Sequence, residues 1–204
     1  NRFKRFSLNL PANAVVAGNR TTMTSGTGQK LFITTLLPAD AMPVVAPCPE
    51  PRPNFEDGAV ASGDPMTHRL RVEAPGHPKS ARFLHVLQGA DSGAAADTTA
   101  LVQSVSGTAF AGAVVANTAV LFPVDLDAAF GGTAYVVPAG VSTHLITGLT
   151  PAAGYTVVRE PAGAGERVTL SPGGPTTADS GGVLTLKSDV VPPLTLSVRV
   201  QPAA

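Results

Sequence analysis

The amino-acid sequence predicts an all-β protein, built as a single antiparallel β-sandwich of ten or more strands. Apolar segments alternate with a period of two residues and are rich in β-branched side chains, as strands are. Gly 21 and Pro 19 make up about a fifth of the 204 residues, which excludes long helices because both residues break them. Turn signals recur roughly every ten residues, a spacing typical of sandwiches and barrels.

The strand pattern is clearest in segments that are bounded by glycine-rich or proline-containing turns. In chain order these segments are 30–37, 68–73, 82–88, 100–104, 119–122, 133–137, 142–147, 155–159, 167–171, 182–187 and 195–201. Turn signals between them include Gly131-Gly132 and Gly173-Gly174. No segment has the period of an amphipathic helix, and the Ala-rich stretch 91–99 is interpreted as a loop or a single turn.

Two of these segments also predict how exposed their strands are. Segment 82–88 has apolar residues on both faces, with Leu87 on one and Val86 on the other. This pattern predicts an interior strand that is covered on both sides. In segment 195–201 apolar residues alternate with polar ones, which predicts a half-solvated strand at the end of a sheet.

We expect one domain over residues 1–204, with an irregular Pro-rich excursion at 39–65. Proline lacks a backbone N–H, so a segment with this many prolines is excluded from the centre of a sheet. Cys48 lies between two prolines of this excursion and is the only cysteine. The chain therefore has no intramolecular disulfide and no multi-cysteine metal site, and Cys48 is interpreted as a small apolar residue.

The charge balance gives no electrostatic attraction toward nucleic acid or an anionic membrane. The 14 basic residues are matched by 14 acidic ones. The most apolar stretch, residues 108–123, is too short and too interrupted to span a bilayer. No signal-peptide pattern opens the chain, which begins without Met, and this start predicts a processed chain, a fragment or an excised domain.

The residues that could carry enzyme chemistry are scattered along the chain. Four histidines occur without the spacing of metal ligands: His68, His77, His85 and His144. Structural roles are expected for them. There is no Gly-x-Ser-x-Gly motif, residues 104–108 lack a recognisable base, and the glycine-rich stretches are interpreted as turns rather than phosphate-binding loops.

The remaining polar motifs also have ordinary explanations. The carboxylate pairs Glu56-Asp57 and Asp125-x-Asp127 are interpreted as solvated turns, with a calcium site at Asp125 and Asp127 as the alternative. Glycosylation at Asn19-Arg20-Thr21 would require a eukaryotic secretory host. Tyr135 and Tyr155 are the only tyrosines and there is no Trp, so no broad aromatic platform for sugars is expected. We predict no catalytic, cofactor-binding or metal-binding residue and no cofactor.

Several short sequence segments, spread over nearly the whole chain, share the pattern of one protein family. They lie at residues 4–11, 16–20, 29–38, 69–73, 82–88, 146–151, 154–157 and 181–184. Together they resemble the C-terminal β-sandwich region of heparinase II/III-like polysaccharide lyases. Members of that family join an α/α toroid to this sandwich and cleave acidic polysaccharides by β-elimination, with His and Tyr groups at the cleft between the two parts.

This chain departs from the family pattern where catalysis is concerned. It contains no run of amphipathic helices that could form the toroid. Phe6 and Asn9 stand where the first phrase of the family commonly has Trp and His. The resemblance therefore carries no catalytic residue over to this chain, and we expect the isolated chain to be inactive although its parent would be a lyase.

The resemblance implies an accessory β-sandwich domain of a bacterial polysaccharide lyase, which walls and supports the cleft for an acidic polysaccharide. The implied partners are that polysaccharide and a catalytic helical domain or chain, in a secreted, periplasmic or cell-surface location. The alternative is a stand-alone bacterial surface adhesion or polymer-binding module. An independent hydrolase or lyase has the least support because no acid, base and metal set converges in the sequence.

Overall fold

The computed structural model describes residues 3–47 and 66–187. These residues form strands and loops without a helix, so the all-β prediction is confirmed, and no helix of this part of the chain could cross a membrane. The strands are β1 (Arg5–Leu10), β2 (Ala14–Ala17), β3 (Arg20–Thr24), β4 (Lys30–Leu37), β5 (Pro43–Pro47), β6 (His68–Glu73), β7 (Leu84–Ala90), β8 (Thr99–Gly107), β9 (Phe110–Val115), β10 (Thr118–Pro123), β11 (Thr133–Pro138), β12 (Thr143–Ile146), β13 (Gly154–Ala162), β14 (Gly165–Pro172), β15 (Thr176–Thr177) and β16 (Leu184–Lys187).

The described strands form three sheets. One sheet has the order β1-β6-β5, a second has the order β2-β3-β4-β7, and a nine-stranded sheet has the order β15-β13-β14-β11-β8-β9-β10-β12-β16. The ladders are antiparallel except the one between β10 and β12, which is parallel. The finer prediction of a single antiparallel sandwich of ten or more strands is therefore not confirmed.

The two smaller sheets pack face to face around a shared apolar core. Leu10 and Leu70 come from the three-stranded sheet, and Met23 and Ile33 come from the four-stranded sheet. Alternate residues of a strand point to the same face, so one face of each sheet supplies these side chains. This part of the chain, which we call the small sandwich, ends with β7.

The nine-stranded sheet curls into a nearly closed barrel with its own core. Leu121, Tyr135, Tyr155 and Leu184 all belong to one buried cluster. Tyr155 lies on β13 and Leu184 on β16, at opposite ends of the strand order. Both can pack into the same core only because the sheet bends until its two ends approach each other.

Close packing inside this sheet explains a glycine in the middle of β9. Gly112 lies between Val102 of β8 and Leu121 of β10 in the register. A Cβ atom at Gly112 would overlap the carbonyl oxygen of Val120. The residue is therefore required by the approach of the neighbouring backbone rather than by a turn.

The local pattern predicted most strand positions but missed several short strands. Segments 30–37 and 68–73 coincide with β4 and β6, and the other predicted strands that lie in the described ranges overlap observed ones. The sequence pattern missed β1, β2, β3, β5, β9 and β15. The predicted strand 195–201, Cys48 and the pair Glu56-Asp57 lie outside the described residues.

Two predictions about strand environment need correction. Segment 82–88 was expected to be interior, but β7 pairs only with β4 at the edge of its sheet, and Leu87 is 50% exposed. The Pro-rich segment 39–65 was expected to be irregular, but Pro43–Pro47 forms β5. β5 is an edge strand that pairs only with β6. Proline is tolerated there because an edge strand has only one ladder that a missing N–H could weaken.

Candidate functional site

A groove of about 580 Å³ lies between the small sandwich and the nine-stranded sheet. We call it the inter-sheet groove. Residues from the end of β4, from the loop between β6 and β7, and from β8 and β9 line it: Leu37, Pro38, Ala39, Asp40, Ala74, Pro75, Pro78, Ser80, Ala81, Arg82, Gln103, Ala111 and Val124. Its size is within the usual range for small-ligand sites.

The polar groups of the inter-sheet groove are Asp40, Ser80, Arg82 and Gln103, set among alanines and prolines. The Arg82 Nη2 atom donates a hydrogen bond of 2.7 Å to the carbonyl oxygen of Val124. This bond ties the β6–β7 loop to the segment that follows β10. A guanidinium has five N–H donors, so an exposed Arg82 can also hydrogen-bond a ligand in the groove.

A second polar site lies inside the barrel, and we call it the buried polar cluster. The hydroxyl of Tyr135 on β11 is 3.0 Å from Nδ1 of His144 on β12. His144 Nε2 is 3.9 Å from Oε2 of Glu166 on β14, and the same oxygen is 3.7 Å from Nη1 of Arg159 on β13. Tyr135 and His144 are both fully buried.

Burial keeps the tyrosine and the histidine of this cluster neutral. Burial, with a further contribution from the nearby positive charge of Arg159, lowers the pKa of His144 to about 4. Burial raises the pKa of Tyr135 above its ordinary value, while Arg159 opposes this shift and Glu166 adds to it. Because His144 is neutral at pH 7, its 3.9 Å contact with Glu166 is not an ion pair at that pH.

The cluster has acid–base groups but no open path from Tyr135 or His144 to a polymer. A general acid or base must come within hydrogen-bond distance of the substrate atom that gains or loses a proton. Neither Tyr135 nor His144 has exposed surface. Only Arg159 and Glu166, which are partly exposed, connect the cluster to solvent. In this conformation the tyrosine and histidine cannot reach a polysaccharide.

The other histidines are placed apart from this cluster. The His85 ring lies 4.0 Å from the Phe6 ring, measured between centroids, and its Nδ1 is 3.1 Å from Oγ1 of Thr35. Burial lowers the pKa of His85. His68 contacts the adjacent Thr67, and His77 is exposed in a turn with a positive φ of 51°.

Tyr155, the second tyrosine, has a structural contact in the barrel. Its hydroxyl accepts a hydrogen bond of 3.0 Å from the backbone N–H of Thr150. Its ring packs edge-to-face against Phe130, with centroids 5.6 Å apart. This geometry fixes the turn before β13 and leaves the tyrosine 2% exposed. Tyr155 therefore lies in the core and not on a ligand surface.

Asp125 and Asp127, the alternative calcium site of the sequence pattern, form an ordinary turn. The Asp125 Oδ1 atom accepts a hydrogen bond of 3.0 Å from the backbone N–H of Asp127. Within 3–47 and 66–187, no three His, Cys, Asp or Glu side chains are close enough together to hold a metal ion. Asp125 and Asp127 therefore act as turn residues in this structure.

Two other motifs are also occupied by local contacts. Ser104 Oγ accepts a hydrogen bond from the backbone N–H of Phe110 and lies 2.7 Å from Oγ1 of Thr133, so its hydroxyl holds the β8–β9 turn. In the glycosylation motif, Asn19 Nδ2 donates to the carbonyl oxygen of Thr35, and Thr21 is fully buried. Asn19 itself is exposed, so modification at its side chain would have to break this hydrogen bond.

Sequence reasoning missed the buried polar cluster because β12, which carries His144, lies far in the strand order from β11, β13 and β14. Alternation in β11 and β12 is the one signal that places Tyr135 and His144 on inward faces. Three strands separate β11 from β12 in the sheet, so the two side chains meet only across the barrel interior. No local pattern contains that contact.

Comparison with known proteins adds no family assignment. No protein-family model and no curated protein matches this chain. The geometry and chemistry of the two sites are therefore the basis for a functional proposal, because a fold alone does not determine an activity.

Proposed function

We propose that this chain is a non-catalytic β-sandwich accessory module of a heparinase II/III-like polysaccharide lyase. The single observation that carries the proposal is the burial of Tyr135 and His144. β-Elimination from a uronate needs a base at the α-carbon and an acid at the leaving oxygen, both in contact with the polymer. Tyr135 and His144 cannot make that contact. In this proposal another domain or chain therefore supplies the base and the acid.

In this proposal the inter-sheet groove forms one wall of the cleft for an acidic polysaccharide. Arg82 can bind a carboxylate or sulfate through two parallel N–H donors. Asp40, Ser80 and Gln103 can hydrogen-bond sugar hydroxyls, and the alanines and prolines offer apolar contact to C–H faces. The balanced charge of the chain predicts weak binding with a modest dependence on salt.

An elimination assay tests whether the isolated chain is catalytic. The protein is incubated at high concentration with heparin, heparan sulfate, alginate or hyaluronate, and the ultraviolet absorbance of the unsaturated uronate is followed for hours. We expect no product. Sustained product formation that is abolished by Tyr135→Phe or by His144→Gln would overturn the proposal and make the chain an enzyme.

A binding comparison tests the groove itself. Arg82→Gln should weaken retention on immobilised heparin, whereas Arg167→Gln removes the same charge from an exposed position on β14 and should not. Equal losses would show that the groove has no special role.

The complete reading frame tests the parent protein: an upstream helical toroid is expected, and its absence together with polymer binding would favour a stand-alone surface adhesion module.

A further inference from the structure

The nine-stranded sheet does not close completely. β13, with the short β15, lies at one end of the strand order and β16 lies at the other, and no ladder joins β13 to β16. A cavity of about 500 Å³ lies between them, and we call this gap the seam. Its lining comes from both sides: Val157, Arg159, Thr176, Thr185, Leu186 and Lys187.

The seam is bounded by two strand edges that have no ladder partner among the described residues. β15 pairs only with Gly154 and Tyr155, so residues 157–162 of β13 pair on one side only, with β14. β16 pairs only with β12. Such an edge presents a row of N–H and C=O groups, with which a further strand can form a ladder.

The two edges run in the same direction. Six antiparallel ladders and one parallel ladder, between β10 and β12, connect β13 to β16 through the described strands. Six reversals restore the original direction, so β16 is parallel to β13. A strand that lies between them and runs the opposite way is therefore antiparallel to both edges, which is the pairing that a short hairpin connection allows.

The side chains beside the seam determine which kind of strand fits it. Leu184 and Leu186 point into the barrel core, and Val157 packs against that core although it is only partly buried. Thr185 and Glu160 are exposed on the outer face. Because the side chains of a strand alternate between its two faces, a strand in the seam needs apolar residues at every second position and polar residues between them.

The chain itself contains a segment with this pattern shortly after β16. Residues 194–200 lie outside the described residues, and their sequence is Leu194-Thr195-Leu196-Ser197-Val198-Arg199-Val200. Only residues 188–193 separate this segment from the end of β16, and Ser, Asp and Pro, which are common in turns, make up most of that connection. Connections of this length are among the commonest between strands. A chain that reverses after β16 also has the direction that the seam requires.

We propose that residues 194–200 form a strand in the seam, antiparallel to both β16 and β13. The apolar residues of this segment cover Val157 and Leu186, and Arg199 lies on the outer face, which also carries the opposite charge of Glu160. Both free edges gain a ladder, and the barrel core is closed along its open side. This pairing does not depend on the polysaccharide function proposed above.

NMR of the isotope-labelled full chain tests the placement directly. We expect nuclear Overhauser contacts from residues 194–200 to both β13 and β16. The alternate amides of β16 that do not bond β12 should exchange slowly with solvent, because the new strand accepts their hydrogen bonds. Fast exchange at these amides, or contacts from 194–200 to neither strand, would overturn the proposal.

Proline variants identify the segment that protects the seam. Val198→Pro removes a ladder donor from the middle of the proposed strand and should speed exchange of those β16 amides at least about tenfold. Ala203→Pro makes the same kind of change beyond the strand and should have no effect. Ile33 and Leu70 of the small sandwich should stay protected in both variants. If they lose protection as well, the variant has unfolded, and the contacts in the parent chain decide the question.

Light scattering separates this segment from other occupants of the seam. We expect a monomer whose seam contacts are unchanged by dilution, because the strand belongs to the same chain. A dimer whose seam contacts disappear on dilution would show that a second copy fills the seam, and would overturn the proposal. Slow exchange that Val198→Pro leaves unchanged would assign the seam to a different segment and would also overturn it.

Discussion

His144 is an ionisable side chain whose surroundings oppose its ionisation. The ring has no exposed surface, one nitrogen contacts the Tyr135 hydroxyl, and the other nitrogen has no hydrogen-bond partner among described residues. Protonation would place a charge in the barrel core near Arg159, which is the physical cause of the low pKa.

The free energy of unfolding should therefore fall as the pH is lowered from the pKa of His144 in the unfolded chain to its pKa in the folded chain. The unfolded histidine binds a proton below about pH 6.5, whereas the folded one does so only near pH 4. We expect this residue to remove about 3 kcal/mol of unfolding free energy between pH 7 and pH 4. Denaturant titrations at a series of pH values measure the loss.

The matched variants for this pH effect are His144→Gln and His77→Gln. His144→Gln cannot titrate and should flatten the part of the pH dependence that belongs to this residue. His77 is exposed, so His77→Gln should leave the profile unchanged. His85, whose pKa burial also lowers, contributes a slope of the same sign in both variants. Identical profiles for the two variants would contradict a buried, neutral His144.

At the scale of the element, position in the sheet decides how much an apolar side chain contributes. β7 has more apolar residues than β14, but β7 pairs only with β4, whereas β14 pairs with β11 and β13. Leu87 of β7 is half exposed, and Leu170 of β14 is fully buried in the barrel core. The same chemical truncation therefore has different consequences in the two strands.

Leucine-to-alanine variants in these strands measure that difference. Leu170→Ala should lower the unfolding free energy by about 2–5 kcal/mol, because it removes buried surface and leaves a cavity. Leu87→Ala should cost less than about 1 kcal/mol, because its side chain already contacts water in the folded state. Urea midpoints at constant m-value give both numbers. A larger loss for Leu87→Ala would mean that another surface covers β7.

At the scale of the whole molecule, the described chain has two separate apolar cores. One core contains residues of the small sandwich such as Ile33 and Val72, and the other contains barrel residues such as Leu121 and Leu170. No buried side chain belongs to both clusters. The two parts touch where β4 and β7 lie against β8 and β9, and polar contacts such as the bond from Arg82 to Val124 add to this interface.

Calorimetry of the full chain should therefore resolve two unfolding transitions. Ile33→Ala should lower the midpoint of one transition, and Leu170→Ala should lower the midpoint of the other, because each truncation weakens one core. The parent chain scanned under the same conditions is the reference. If the chain shows a single transition and both variants lower its midpoint, the two cores unfold as one cooperative unit.

The sequence by itself determined the class of the fold and the position of many strands. Alternation and glycine-rich turns act over a few residues, so 30–37 and 68–73 could be predicted without knowing their partners. For the candidate sites, local pattern identified single residues, such as His85 as a structural histidine, but none of their long-range contacts.

Only the tertiary structure decided which strands lie at edges and which side chains meet. Leu87 is exposed because β7 has one neighbour, and Pro43–Pro47 is a strand because β6 supplies a ladder on one side. Tyr135 meets His144 because the nine-stranded sheet curls, and that curl also brings the outer strands β13 and β16 near each other. Pairing between strands that are distant in sequence depends on the packing of the whole sheet, so a pattern of period two cannot contain it.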